Sequence, residues 1–117
     1  MMYYEFVAGG EEYRLRLCTR DIVSLERQIK CNPISIFGND GETIPTVSTM
    51  VYILHAALQS YNHGITLDDT YNIFDKYLAD GHTTIDFVSV IFAIYKVSGI
   101  VSNGEGAGGK KNLPPEE

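Results

Sequence analysis

The sequence predicts an α+β fold: an N-terminal β-hairpin packed on a bundle of about four helices, with a disordered C-terminal tail. Three observations predict it. Residues 13 to 17 alternate apolar and polar side chains just after a Gly9-Gly10 pair, which is the period of a half-buried strand. From Thr46 onward, apolar residues recur at helical spacing and are punctuated by capping signals. Beyond Val101 the large apolar residues all but stop. The domain is therefore placed at residues 1–101 and a flexible Gly/Pro/charged tail at 102–117.

Residues 2 to 8 and 12 to 18 read as the two strands. Tyr13, Leu15 and Leu17 form a dry face against wet Arg14 and Arg16, and Tyr4, Phe6 and Ala8 supply the matching face on the first strand. The Gly-Gly pair tolerates the positive φ of a tight turn. A lone hairpin is marginally stable, so this one must pack on something.

Thr19 reads as the N-cap of a helix running to about Lys30, with Asp21 at the positive end of its dipole. Ile22, Leu25 and Ile29 form its dry stripe. Asn32-Pro33 stops it, because a residue before proline resists helical angles. Ile34, Ile36 and Phe37 predict a short apolar turn that plugs the core, and GNDGET, residues 38 to 43, a polar loop.

The clearest helix spans Thr46 to Asn62, with apolar residues at 47, 50, 51, 54, 57, 58 and 61. Gly64 is the expected left-handed residue beyond it. Thr66-Leu67-Asp68-Asp69 reads as a capping box that opens another helix, with Leu67, Tyr71, Phe74 and Leu78 as its apolar residues and an end at Asp80-Gly81. Thr83-Thr84-Ile85-Asp86 repeats the pattern and opens a last helix to about Ser98.

That last helix carries two apolar stripes, Ile85-Val88-Ile91-Phe92-Tyr95 and Phe87-Val90-Ile94-Val97. A helix apolar nearly all round is either central in its fold or shared with a partner. So small a domain is expected to leave part of it uncovered, for a partner or a second copy to cover. Tyrosine is also enriched at interface hot spots. The expected partner-binding residues are therefore Tyr52, Tyr61, Phe87, Val90, Ile91, Ile94, Tyr95 and Val97. For Tyr52, Tyr61, Tyr71, Tyr77 and Tyr95 the competing reading is an aromatic core with hydroxyls at its rim.

Composition narrows the function classes. A net charge of −6, with Arg14, Arg16 and Arg20 interleaved among Glu11, Glu12 and Asp21, argues against nucleic acid as partner. No stretch is apolar for the length of a membrane span, and MMYYEFVAGG lacks the features of a signal peptide, so a cytoplasmic location is expected. Cys18 and Cys31 match no zinc spacing and read as semi-buried thiols in a reducing compartment.

Three constellations invite a chemical reading and are each better explained otherwise. The glycines of NGEGAGGKK, residues 103 to 111, fit G-x-G-x-x-G and approach a phosphate loop. Such a loop needs a strand before it and a helix after it. Here a helix end precedes it, Asn112-Leu113-Pro114-Pro115 follows, and Lys111 replaces the magnesium-binding hydroxyl. Asp68, Asp69 and Asp86 suit first helical turns, where carboxylates are stabilised, and Asp75 belongs to a polar face. His55, His63 and His82 share no metal-binding spacing, and no serine or cysteine sits in a nucleophile motif. The expectation is no catalytic residue, no metal and no cofactor.

YEFVAGGEEYRLRLCTRDIVSLERQI, then NPISIF, then LHAALQSYNHGITLDDTYNIFDKYLADG, then IYKVSGI resembles the small tail assembly chaperones of long-tailed phages and prophages of Gram-positive bacteria. The resemblance spans residues 3 to about 101. It implies a non-enzymatic protein of the bacterial host cytoplasm that binds the tape measure protein, keeps it soluble and helps recruit tail-tube subunits, without remaining in the virion. It also implies that a longer frameshifted form can exist, for which the Gly-rich tail would be a connector and Gly109-Lys110-Lys111 a slippery message. On this reading the helices at 46–62 and 84–98 act on the partner. A structural head–tail or tail component retained in the particle, and a small cytosolic regulator, are the alternatives.

Overall fold

The computed structural model describes residues 2–102. The expected tail from 103 onward and its glycine-rich loop lie outside the described residues. The hairpin pairs β1 (Tyr4–Ala8) with β2 (Glu11–Leu15), antiparallel. Gly9 and Gly10 adopt φ of 61° and 80°, the two left-handed positions of a turn whose twist matches the strands. Phe6, Ala8 and Leu15 are buried on one face, while Glu5 stands opposite Arg14 on the other. The turn is anchored as well as permitted: the Gly9 N–H donates to Asp80 Oδ2 at 2.9 Å.

β2 ends at Leu15, not at residue 18, and the chain then crosses to the helical layer with Leu17 buried. Helix α1 is Thr19–Ile29, and its N-cap is Cys18 rather than Thr19. The Cys18 N–H donates to Asp21 Oδ2 at 3.0 Å, so the acidic residue works as the third helical position of a cap one residue earlier than expected. Leu25 is fully buried, whereas Ile22 and Ile29 are half-buried. The helix closes on Lys30 at φ 62°, the only non-glycine residue with positive φ among the described residues. Asn32 Oδ1 then accepts from the Ile34 N–H and starts a 3₁₀ segment, Pro33–Phe37. Phe37 alone of its three large apolar residues enters the core; Ile36 is half-buried and Ile34 exposed.

Helix α2 (Val47–Leu58), capped by Thr46, is the centre of the molecule. Seven of its residues are buried, and it packs on α1, on β2 and on the two helices that follow. It stops four residues sooner than the apolar period suggested. Gln59 Nε2 donates to the His55 and Ile65 carbonyls at 3.0 Å each, which satisfies an orphan helix-end acceptor and steers the chain into the next turn. Helix α3 (Leu67–Ala79) and helix α4 (Thr84–Val97) both open with the expected capping boxes, Thr66 with Asp69 and Thr83 with Asp86.

The face of α3 differs from the expected one. Thr70, Ile73, Phe74 and Tyr77 are buried, while Tyr71 is exposed and Leu67 and Leu78 half-buried. Its supports, α2 and β1, select this stripe. Thr70 can enter it because its hydroxyl donates to the Thr66 carbonyl at 2.9 Å, so that hydroxyl is not buried without a partner. Each large apolar side chain buried this way stabilises the fold by roughly 1.5–3 kcal/mol.

Candidate partner-binding surface

Helix α4 is sheathed far more fully by its own chain than its composition suggests. Phe87, Ile91, Ile94 and Tyr95 are 0% exposed and Val90 is 6% exposed. These five of the eight expected partner-binding residues are core residues, and a partner could reach them only by unfolding the domain. The reason lies in the layers on either side. Phe87 sits among Phe6 from β1 and Phe74 and Tyr77 from α3, with centroids 5.1 to 6.0 Å apart. Phe37 brings the 3₁₀ segment against Tyr95 at 6.3 Å. The Tyr95 hydroxyl donates to the Pro33 carbonyl at 3.0 Å. A hairpin and a single inserted turn thus cover what helix-on-helix packing would have left bare.

The other three lie nearer solvent. Tyr52 is half-buried on α2, packed against the core. Tyr61 is exposed and Val97 half-buried, and each is tied to the start of the chain, Tyr61 through the Tyr3 ring and the Val97 backbone through Arg16. The Tyr3 ring meets Tyr61 edge-on at 5.5 Å, and the Arg14 guanidinium lies 4.9 Å from the centre of the Tyr3 ring. Asn62 Nδ2 donates to the Arg14 carbonyl at 3.2 Å, holding the end of α2 to the hairpin.

Arg16 organises this corner. Its Nη1 donates to the Val97 carbonyl at 2.7 Å and to the Met2 carbonyl at 3.0 Å. A guanidinium at the C-terminal end of α4 is favoured by the helix dipole, and the same group holds the Met2 backbone in place beside Tyr3. The neighbouring Leu17 N–H donates to Ser98 Oγ at 2.8 Å, and the Arg16 N–H to the Ala57 carbonyl at 3.0 Å. The result is a surface of Tyr3, Tyr61 and Arg14 beside exposed Met2, aromatic and topped by a cation, with the Val97 backbone held next to it through Arg16. Sequence reasoning found Tyr61 and Val97 and missed Met2, Tyr3 and Arg14. The alternation in β2 did place Arg14 on the wet face, but nothing local says which aromatic it covers.

Other polar groups are bonded between elements or line the surface. The Ser60 hydroxyl donates to Asp21 Oδ2 at 3.0 Å and lies 3.1 Å from Cys18 Sγ; with the Cys18 N–H on the same carboxylate, the group fastens the start of α1 to the end of α2. Both cysteines are exposed rather than semi-buried. His82 stacks on Tyr77 at 4.4 Å and its Nδ1 lies 3.9 Å from Asp86 Oδ2. The Asp69 carboxyl is held below its ordinary range, chiefly by the Thr66 backbone hydrogen bond. Tyr13, Ile65, Asp69, Asn72, Ile73 and Lys76 line a groove of about 280 Å³, in which burial and the Glu11 carboxylate raise the Tyr13 hydroxyl pKa. Among the described residues, no group of three or more His, Cys, Asp or Glu side chains could hold a metal ion, and no helix is long and apolar enough to cross a membrane.

Fold and surface together define a small α+β protein that carries an aromatic cluster topped by a guanidinium at this corner. Residues 5–117 match the model of DUF6096, a family of unknown function, and the chain belongs to that family. No curated protein and no solved structure matches it.

Proposed function

We propose that this protein is a non-enzymatic tail assembly chaperone of a long-tailed phage or prophage, working in the cytoplasm of the bacterial host. Its clients on this reading are the tape measure protein, which it keeps soluble, and the tail-tube protein, which it helps recruit. The sequence resemblance over residues 3 to about 101 carries the proposal. The Tyr3–Tyr61–Arg14 cluster supports it by supplying a contact surface, since two aromatic rings and a guanidinium are the side-chain types that dominate interface energetics. Edge-to-face rings and an overlying cation also hold that surface ordered before a partner arrives, which lowers the entropy lost on binding. On this reading the client face, expected on the helices at 46–62 and 84–98, narrows to the end of α2 and the start of the chain, because five of the expected α4 residues are buried.

The test is co-expression with the tape measure protein encoded beside it. The expected result is a several-fold rise in soluble client, lost in a Tyr3→Asp/Tyr61→Asp double variant whose melting temperature stays close to that of the parent. Equal client solubility with and without the protein would refute the reading. So would a double variant that stays folded and remains fully active.

A further inference from the structure

We infer that the free edge of β1 is a docking site for an extended strand of a partner protein, one that alternates lysine or arginine with an apolar residue. The two-stranded sheet has two edges, and the fold treats them differently. Gly9 and Gly10 form a two-residue turn, so Ala8 and Glu11 face each other as a hydrogen-bonded pair. Alternation then directs the N–H and C=O groups of Tyr4, Phe6 and Ala8 toward β2, and those of Glu5 and Val7 outward. On the other strand it directs the backbone of Arg14, and of Arg16 just beyond, outward, where the end of α2 meets it. Asn62 Nδ2 donates to the Arg14 carbonyl at 3.2 Å, and the Arg16 N–H donates to the Ala57 carbonyl at 3.0 Å. Those two bonds fix the phase of the alternation and close the β2 edge. The outward N–H and C=O groups of Glu5 and Val7 have no hydrogen-bond partner among the described residues. Both residues are exposed, Val7 at 48%.

Two donors and two acceptors on residues about 6.8 Å apart are the pattern that an added strand completes. An antiparallel strand that sets two of its own residues opposite Glu5 and Val7 closes four hydrogen bonds. Charge selects the strand. On the exposed face Glu5 stands opposite Arg14 and Val7 opposite Glu12. The Arg14 guanidinium lies over the Tyr3 ring, and among the described residues no ion pair joins it to Glu5. A third strand therefore meets a carboxylate at one position and an exposed valine two residues along. Lysine or arginine suits the first, and an apolar side chain the second. A second copy of this chain does not fit. Its β1 presents Tyr3, Glu5, Val7 and Gly9 in that phase, so no antiparallel register of two such strands sets a cation opposite Glu5. One of those registers sets the two Glu5 carboxylates face to face, which is destabilising. A carboxylate on the edge thus guards the sheet against pairing with itself and leaves it open to a cationic strand. The net charge of −6 favours the same kind of partner. This inference does not rest on the proposed function.

An NMR titration of the full chain, with amide exchange read residue by residue, tests it. The probe is a capped synthetic peptide, Thr-Lys-Thr-Val-Thr-Lys-Thr, whose side-chain pattern is the same in either strand direction. In the free chain the Phe6 and Ala8 amides are expected to exchange slowly, and those of Glu5 and Val7 fast. At saturating peptide the Glu5 and Val7 amides should slow at least fivefold. The same peptide with glutamate in place of lysine should bind at least tenfold more weakly. Glu5→Lys, at an exposed position, should reverse that preference with circular dichroism unchanged. Unaltered exchange at Glu5 and Val7 in millimolar peptide would overturn the inference. So would equal binding of the two peptides, a preference that Glu5→Lys leaves in place, or shifts confined to the carboxylates of α3. A parent that pairs with a second copy through β1 would overturn it as well.

Discussion

Tyr95→Phe isolates one atom at the junction of three elements. The ring stays, with its edge contact to Phe37, while the hydroxyl that donates to the Pro33 carbonyl is deleted in a site with no solvent exposure. Losing a buried hydrogen bond of this kind costs about 1–2 kcal/mol. For a domain of this size each kcal/mol lowers the melting temperature by about 4–8 °C, so thermal denaturation should show a fall of several degrees. A second arm uses pH. Burial, and secondarily the nearby Cys31 thiol, raises the Tyr95 hydroxyl far above its ordinary value of 10.0. The folded chain therefore keeps that proton when the unfolded chain has lost it. The stabilisation this gives is complete below pH 10 and is lost as pH rises through the folded value. The variant should consequently lose less stability than the parent between neutral pH and strongly alkaline solution. A melting temperature within about 1 °C of the parent, together with an unchanged alkaline profile, would refute the assigned role of this hydroxyl as the tie between α4 and the 3₁₀ segment.

Two further outcomes follow from the same geometry. Gly38→Ala should destabilise by about 1–2 kcal/mol in urea denaturation, because the residue sits at φ 77° and a Cβ there would run into the Thr43 hydroxyl; Gly10→Ala, at φ 80° with open space around it, should cost only the backbone strain, so equal losses at the two sites would show that crowding at Thr43 contributes nothing. Thr66→Ala should cost about 1 kcal/mol of helix capping, and it should weaken the acid dependence of stability, since the lowered Asp69 pKa gives stabilisation that is present above pH 3.8 and lost as pH falls through the folded value; a denaturation series from pH 7 to strong acid reads both effects.

Much of the fold was legible because its signals are local. Gly9-Gly10 between alternating residues, and threonine followed three positions later by aspartate, each describe hydrogen bonds closed within a few residues. Those elements stand where the sequence put them. The cap of α1 was read one residue late because Asp21 suits either of two neighbouring frames, and only the Cys18 N–H to Asp21 bond chooses. The buried face of α3 was misread because a threonine interrupts the stripe that is used, and its polar atom is satisfied by a backbone carbonyl one turn back.

The amino-acid sequence by itself determined the order and type of the elements, the capping boxes of α3 and α4, and the apolar excess of α4, all from spacings of a few residues. Tertiary structure decided what that excess is for. Phe6, Phe74 and Tyr77 come from distant parts of the chain to close on Phe87, and Phe37 on Tyr95, and five of the expected α4 residues are buried in the assembled molecule. It also brought Tyr3, Arg14 and Tyr61 together, beside Arg16, whose carbonyl partner on α4 lies 81 residues away. Periodicity shows which side chains share a face. It carries no record of which other segment will fold across that face, because burial is a property of contacts between elements that only the assembled molecule contains.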